Sequence, residues 1–180
     1  MNKMPKAVLP ILLALVLLVT GCLAGSASSS RTNPIAPGKD TRVGSLAPDF
    51  QLSNLEGQSI SLSDFRGSPV LINLWATWCP SCRDEMPYLQ QIYDEWSGKG
   101  LVLLAIDMGE SPSTVKEFMQ SYNLSFPVLL DTNQDVALEY NIRYIPTTFL
   151  IDEDGIIQVV KVGAFSSTAE IEKNLSKIIP

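Results

Sequence analysis

Two cysteines two residues apart, placed where an apolar run gives way to a helical pattern, constrain this chain more than any other feature. The stretch reads Trp75-Ala76-Thr77-Trp78-Cys79-Pro80-Ser81-Cys82. Val70, Leu71, Ile72, Leu74 and Trp75 make a short continuous apolar run, the pattern of a strand buried on both faces of a sheet. From Cys82 onward Met86, Leu89, Ile92, Tyr93 and Trp96 follow helical spacing, which predicts an amphipathic helix. Pro80 suits its first position, because the N–H that proline lacks would be unpaired there anyway. Cys79 then stands at the helix N-terminus, where unpaired N–H groups and the positive end of the macrodipole favour a thiolate over the free-thiol pKa of about 8.5. Cys82, one turn later, points the same way. Such a pair supports thiol-disulfide exchange, with Cys79 attacking a partner disulfide and Cys82 resolving the mixed disulfide.

Composition narrows the alternatives. A C-x-x-C is also half of a zinc site, but zinc wants about four ligands, and the chain holds 0 His and 3 Cys. No structural metal and no cofactor is therefore expected. Two thiolates could still hold a soft Cu(I) ion, which keeps a metallochaperone in view. A purely structural bridge between residues one helical turn apart would constrain little of the unfolded chain. The net charge of −6, with no basic stripe, argues against nucleic acid as a partner.

Residues 1–22 carry Lys3 and Lys6, an apolar run broken by Pro10, and then Thr20-Gly21-Cys22, a signal-type segment or membrane anchor. Residues 23–43 mix Gly, Ala, Ser, Thr and Pro without apolar periodicity and read as a flexible linker. Residues 44–180 are the right length for one domain. Within it, Phe50, Leu52, Ile60 and Leu62 around Asn54-Leu55-Glu56-Gly57 predict a hairpin. Strands are expected at 101–106 and 126–130, and helices opening at Ser111-Pro112 and over 135–140. A second hairpin joins 147–151 to 156–162 across Asp152-Glu153-Asp154-Gly155, whose acids read as turn residues rather than calcium ligands. Ser167-Thr168-Ala169-Glu170 predicts a capping box for a last helix. This order of elements indicates an α/β fold with a mixed central sheet and helices on both faces.

Around the cysteines, Glu85 is a candidate proton acceptor for Cys82 or a recognition charge, against the plain alternative of a solvated helix residue. Trp75 is expected in the core and Trp78 on a partner-facing surface. Arg83 is expected as an exposed helix residue, and Pro87 as a kink.

Three blocks carry a resemblance: NLWATWCPSCRDEMP over 73–87, GSLAPDFQLSNLEGQSISLSDFRG over 44–67, and YNIRYIPTTFLIDEDG over 140–155. In order and spacing they resemble the extracytoplasmic thioredoxin-like proteins of the TlpA/ResA type, related to the AhpC/TSA proteins. The resemblance implies a thioredoxin fold with an added N-terminal β-hairpin. It also implies a membrane-tethered thiol-disulfide oxidoreductase that reduces disulfides in exported proteins such as apocytochrome c, with a transmembrane thiol carrier as electron donor. Cys22, in a segment resembling a bacterial lipobox, would then be lipidated, tethering the domain outside the cell membrane. The resemblance further implies that Pro146 is a cis-proline beside the cysteines, that Ile145 and Pro146 position substrate, and that Glu85 belongs to the active-site cavity. Thioredoxins of the cytoplasm carry an aspartate where this chain has Asn73, so an Asp-type proton relay is absent. Competing functions are a disulfide-forming oxidase, a Cu(I) carrier and a thiol peroxidase. The last is disfavoured because peroxiredoxins want a threonine where Ala76 precedes Cys79.

Overall fold

Strand β3 (Val70–Trp75) has all six residues buried, and the rest of the domain is built outward from it. The structure is a computed structural model describing residues 40–179. The expected leader at 1–22, Cys22 and all but the last four residues of the expected linker lie outside the described residues. On one edge of β3 runs β4 (Val102–Met108), parallel to it, with Val70 opposite Val102 and Trp75 opposite Asp107. Next comes β5 (Val128–Asp131), parallel to β4. On the other edge lie β6 (Thr147–Ile151), antiparallel to β3, and β7 (Ile157–Val162), antiparallel to β6. The expected hairpin, β1 (Gln51–Asn54) and β2 (Ser59–Ser61), adds antiparallel to β5, giving seven strands in the order β2-β1-β5-β4-β3-β6-β7.

Because side chains alternate along a strand, the two faces of β3 and β4 bury different partners. Leu71, Trp75, Leu103 and Ala105 share a core with Met86, Leu89 and Ile92 of α1 (Pro80–Trp96). Val115 and Met119 of α2 (Pro112–Ser121), and Ile171 and Leu175 of α4 (Thr168–Leu175), complete it. Ile72, Leu74, Leu104 and Ile106 face Phe50, Leu62, Tyr140 and the short α3 (Asp135–Glu139). Helices therefore cover both faces, unequally. Each fully buried Leu or Ile contributes about 1.5–3 kcal/mol, so the two cores give strong drive to this one register. Among the described residues no helix is long and apolar enough to cross a membrane.

Local chemistry sets the corners. Asn54 Oδ1 accepts the Glu56 and Gln58 N–H groups at 3.1 and 2.8 Å, closing the first hairpin. Asp152 does the same in the second, accepting from Asp154 and Ile156 N–H and from Gln158 Nε2. Its carboxylate is thus used up by its own turn. Gly155 has φ +84°, in the left-handed region that favours glycine. Ser111 caps α2 by accepting the Thr114 N–H at 3.2 Å. The capping box expected on α4 is only half formed. Ser167 accepts the Glu170 N–H, but Glu170 turns its carboxylate to Ser166 and Lys161 instead. Helix α1 continues through Pro87, whose ring removes the bond to the Arg83 carbonyl without ending the element.

Candidate active site

Cys79 is the N-cap of α1, in extended conformation, and Pro80 is the first helical residue, as the spacing predicts. Cys79 and Cys82 form a disulfide with Cα atoms 5.3 Å apart. The Cys82 N–H points at Cys79 Sγ at 3.2 Å, and the Ser81 hydroxyl lies 3.5 Å from the same sulfur. These donors belong to the helix start and would serve a thiolate at Cys79. Cys82 is fully buried, while Cys79 keeps 4 % of its surface accessible.

Next to Cys79 in the chain, Trp78 is 66 % exposed, whereas Trp75 lies wholly in the core against Phe118. The Ile145–Pro146 peptide is cis, and the Ile145 carbonyl oxygen sits 3.8 Å from Cys79 Sγ. The carbonyls on either side are occupied, Tyr144 by the Thr147 hydroxyl and Pro146 by the Gly163 N–H. Arg83 is turned away from the cysteines. Its Nε donates to the Tyr122 hydroxyl at 2.9 Å, an exposed link between α1 and the end of α2.

Glu85 is not the solvated helix charge that its position also allowed. It is fully buried. Asn73 Nδ2 donates to its Oε1 at 2.8 Å, and the Phe165 N–H donates to its Oε2 at 2.7 Å. Burial pushes its carboxyl up to about 7; the Phe165 and Asn73 hydrogen bonds and the positive charge of Lys161 work against that rise. Asn73 also donates to the Thr148 hydroxyl at 3.0 Å. A buried carboxyl is therefore present three residues after Cys82, supplied by α1 and held by Asn73 on β3. Asn73 was legible only as a missing aspartate, and Phe165 gave no signal, since an 80-residue gap separates it from its partner.

A second acidic group was also missed. Asp107 ends the apolar run of β4, fully buried, and Glu110 accepts from both the N–H and the hydroxyl of Thr77. The one available signal was an acid in a strand otherwise made of apolar residues.

Known proteins agree with this geometry. The AhpC/TSA family matches residues 43–160. The thiol-disulfide oxidoreductase ResA of Geobacillus kaustophilus (strain HTA426) is 36% identical over 180 residues, covering 100% of both chains. ResA of Bacillus subtilis (strain 168) is 38% identical over 154 residues, covering 85% of this chain and 84% of that one. A thioredoxin-family thiol:disulfide interchange protein of Chlorobium tepidum TLS superposes with a TM-score of 0.68 at 30% identity, covering 77% of this chain and 98% of its own. The helix-capping dithiol, the cis-proline beside it and these relatives lead to one conclusion: the chain belongs to the AhpC/TSA family, as a ResA-like thiol-disulfide oxidoreductase.

Proposed function

We propose that this enzyme reduces disulfides in exported proteins, with Cys79 as nucleophile and Cys82 as resolving thiol. The Cys79 thiolate attacks one sulfur of the substrate disulfide, whose S–S bond breaks as the other sulfur leaves as a thiolate. Cys82 then loses its proton and attacks Cys79, breaking the mixed disulfide and releasing the second substrate thiol. Two electrons pass to the substrate, and the enzyme is left in the disulfide state described above. Glu85 is the proton acceptor for Cys82. Its raised carboxyl changes state near neutrality, the range in which general bases are effective. Ile145 and Pro146 position the substrate: the Ile145 carbonyl, beside Cys79, accepts a backbone N–H from an extended segment lying against Trp78.

The observation that carries the direction is the charge around the dithiol. Strong oxidants of this class are oxidising because their reduced form is stabilised. Here the chain has 0 His, Arg83 is committed to Tyr122, and the buried group three residues after Cys82 is an acid. Apart from the helix start, little favours the reduced, anionic form. Resetting such a reductant outside the cytoplasm needs a donor dithiol, and a transmembrane thiol carrier fits. The domain boundaries follow the same reading: a leader or anchor at 1–22, a tether at 23–43 and the catalytic domain at 44–180. Cys22 is the lipidation site that holds the enzyme at the outer side of the cell membrane, within reach of substrates such as apocytochrome c.

The test is the reduction potential of the full chain in detergent, equilibrated against thiol buffers. A value near about −270 mV or lower supports a reductant, and one near about −120 mV reverses the direction. Residue roles are tested separately. Cys82→Ser should accumulate mixed disulfides with exported proteins in cells and Cys79→Ser should accumulate none; equal adducts from both would contradict the assignment.

A further inference from the structure

The reaction above leaves one buried acidic pair unused. Asp107 stands opposite Trp75 across the β3–β4 ladder. Its Oδ1 accepts the Glu110 N–H at 3.1 Å, while its Oδ2, fully buried, meets no donor among the described residues. Glu110 is half-buried and places its two oxygens on Thr77. Oε2 accepts the Thr77 N–H and Oε1 the Thr77 hydroxyl, each at 2.6 Å. Thr77 lies two residues before Cys79, and the Cys79 N–H donates back to the Ala76 carbonyl at 3.2 Å. Residues 76–79 are thus one tight turn with a carboxylate clamped to its middle.

Counting hydrogens assigns the protons. The Thr77 N–H requires Glu110 Oε2 to be an acceptor. A buried carboxylate oxygen with no donor has lost its water without replacement, which disfavours the ionised form. Protonating Asp107 turns that oxygen into a donor and removes the cost. Burial, the hydrogen bond to Glu110 and the Glu110 charge all push the Asp107 carboxyl well up, against its bond from the Glu110 N–H. From β5, Asp131 adds a further negative charge, its own oxygens accepting the Val136 and Ala137 N–H groups.

We propose that Glu110, whose N–H donates to Asp107, is a positioning residue for thiol-disulfide exchange, clamping both donors of Thr77 to fix the turn that presents Trp78 and Cys79. The proposal rests on the reading of Cys79 as nucleophile. Its physical basis is orientation: exchange needs the attacking sulfur aligned with the bond it breaks, and a turn free to rotate would lose that alignment. Glu110 touches no reacting atom. It acts through Thr77.

The experiment uses the full chain in detergent, reduced and then freed of reductant. Iodoacetamide alkylation of Cys79 gives its thiolate midpoint, and exchange with an oxidised Cys-x-x-Cys peptide gives a rate that is then corrected for thiolate fraction. Thr77→Val keeps every charge and removes one donor. It should slow corrected exchange about threefold, the kinetic equivalent of one hydrogen bond, with the midpoint unmoved. Glu110→Gln also removes a negative charge. It should slow corrected exchange about tenfold and lower the thiolate midpoint by about half a unit. In the wild type the corrected rate should fall at alkaline pH as Asp107 ionises. Asp107→Asn, which keeps an acceptor for the Glu110 N–H but holds no titrating proton, should remove that fall. Corrected rates and profiles of Thr77→Val and Glu110→Gln that superimpose on the wild type overturn the proposal. If Glu110→Gln does not fold, Thr77→Val alone decides. A Cys79→Ser control that still forms mixed disulfide overturns the nucleophile assignment by itself, whatever the clamp variants do.

Discussion

Glu85 and Asp107 are both fully buried on the same face of the sheet, yet Glu85 is met by two N–H donors and Asp107 by a second carboxylate. Around Glu85 the Asn73 amide, the Phe165 N–H and the charge of Lys161 all favour the ionised form, and burial still outweighs them. Around Asp107 a single N–H favours ionisation, while Glu110 and Asp131 oppose it. Burial is common to both sites and raises both carboxyls. The partners decide what each can do. Glu85, with donors already in place for its anion, can exchange a proton near neutrality. Asp107 can satisfy its buried oxygen only by keeping its proton, which suits a fixed support rather than a relay.

The largest effect should come from emptying the first site. Glu85→Ala strands the Asn73 amide and the Phe165 N–H in the core, and urea unfolding of the oxidised protein should show a loss of about 2–4 kcal/mol. Glu85→Gln keeps one acceptor and should lose only about 1–2 kcal/mol at low pH. Equal losses from the two would mean that the donors find other partners.

The next effect is on stability against pH. Glu85 titrates at about 7 in the folded protein and near 4.3 when unfolded. Between those values the folded state holds a proton that the unfolded state has released. Stability is then highest below about 4.3 for this group, declines as pH rises and has lost at most about 3–4 kcal/mol once pH passes 7. Asp107 contributes with the same sign and extends the decline to higher pH. Urea midpoints measured across this range should fall in the wild type. Glu85→Gln should flatten the lower part of the curve and Asp107→Asn the upper part. A wild-type midpoint that rises through the same window would contradict the burial of both groups as protonated acids.

The smallest effects separate the two sites. Lys161→Gln removes a charge that favours ionised Glu85 and should raise that carboxyl by a few tenths of a unit, leaving Asp107 unmoved. Asp131→Asn should lower Asp107 and leave Glu85 alone. Carboxyl-carbon NMR titrations of both groups read the two shifts directly. Each substitution moving both groups would mean that the sites are coupled rather than independent.

What could be read from the sequence was whatever repeats over short distances. The apolar run of β3, the spacing along α1, Pro80 at its first turn and the Asn54 and Asp152 corners are local patterns, and each appears where the pattern puts it. The half-formed box on α4 shows the limit of such signals. Ser167 caps as expected, but Glu170 finds Ser166 and Lys161, and only the β7 register brings Lys161 there. The exposure of Trp78 and the burial of Trp75 were legible because one residue belongs to the strand pattern and the other breaks it.

Glu85 marks the line between the two kinds of knowledge. Its helical offset from Cys82 placed it on the cysteine side of α1, but nothing in the local pattern said whether solvent or core lay beyond. That was decided by Asn73 on β3 and by Phe165 in the segment before α4, which converge on its two oxygens. Thr77, Asp107 and Glu110 are a second case, assembled by the pairing of β3 with β4. By itself the sequence determined the fold class, the dithiol and its place at a helix start, because period, turn residues and cysteine spacing are properties of neighbouring residues. Tertiary structure alone decided the protonation of the buried acids, because a carboxyl's charge depends on how much water is removed from it and on which groups, however distant in the chain, replace that water.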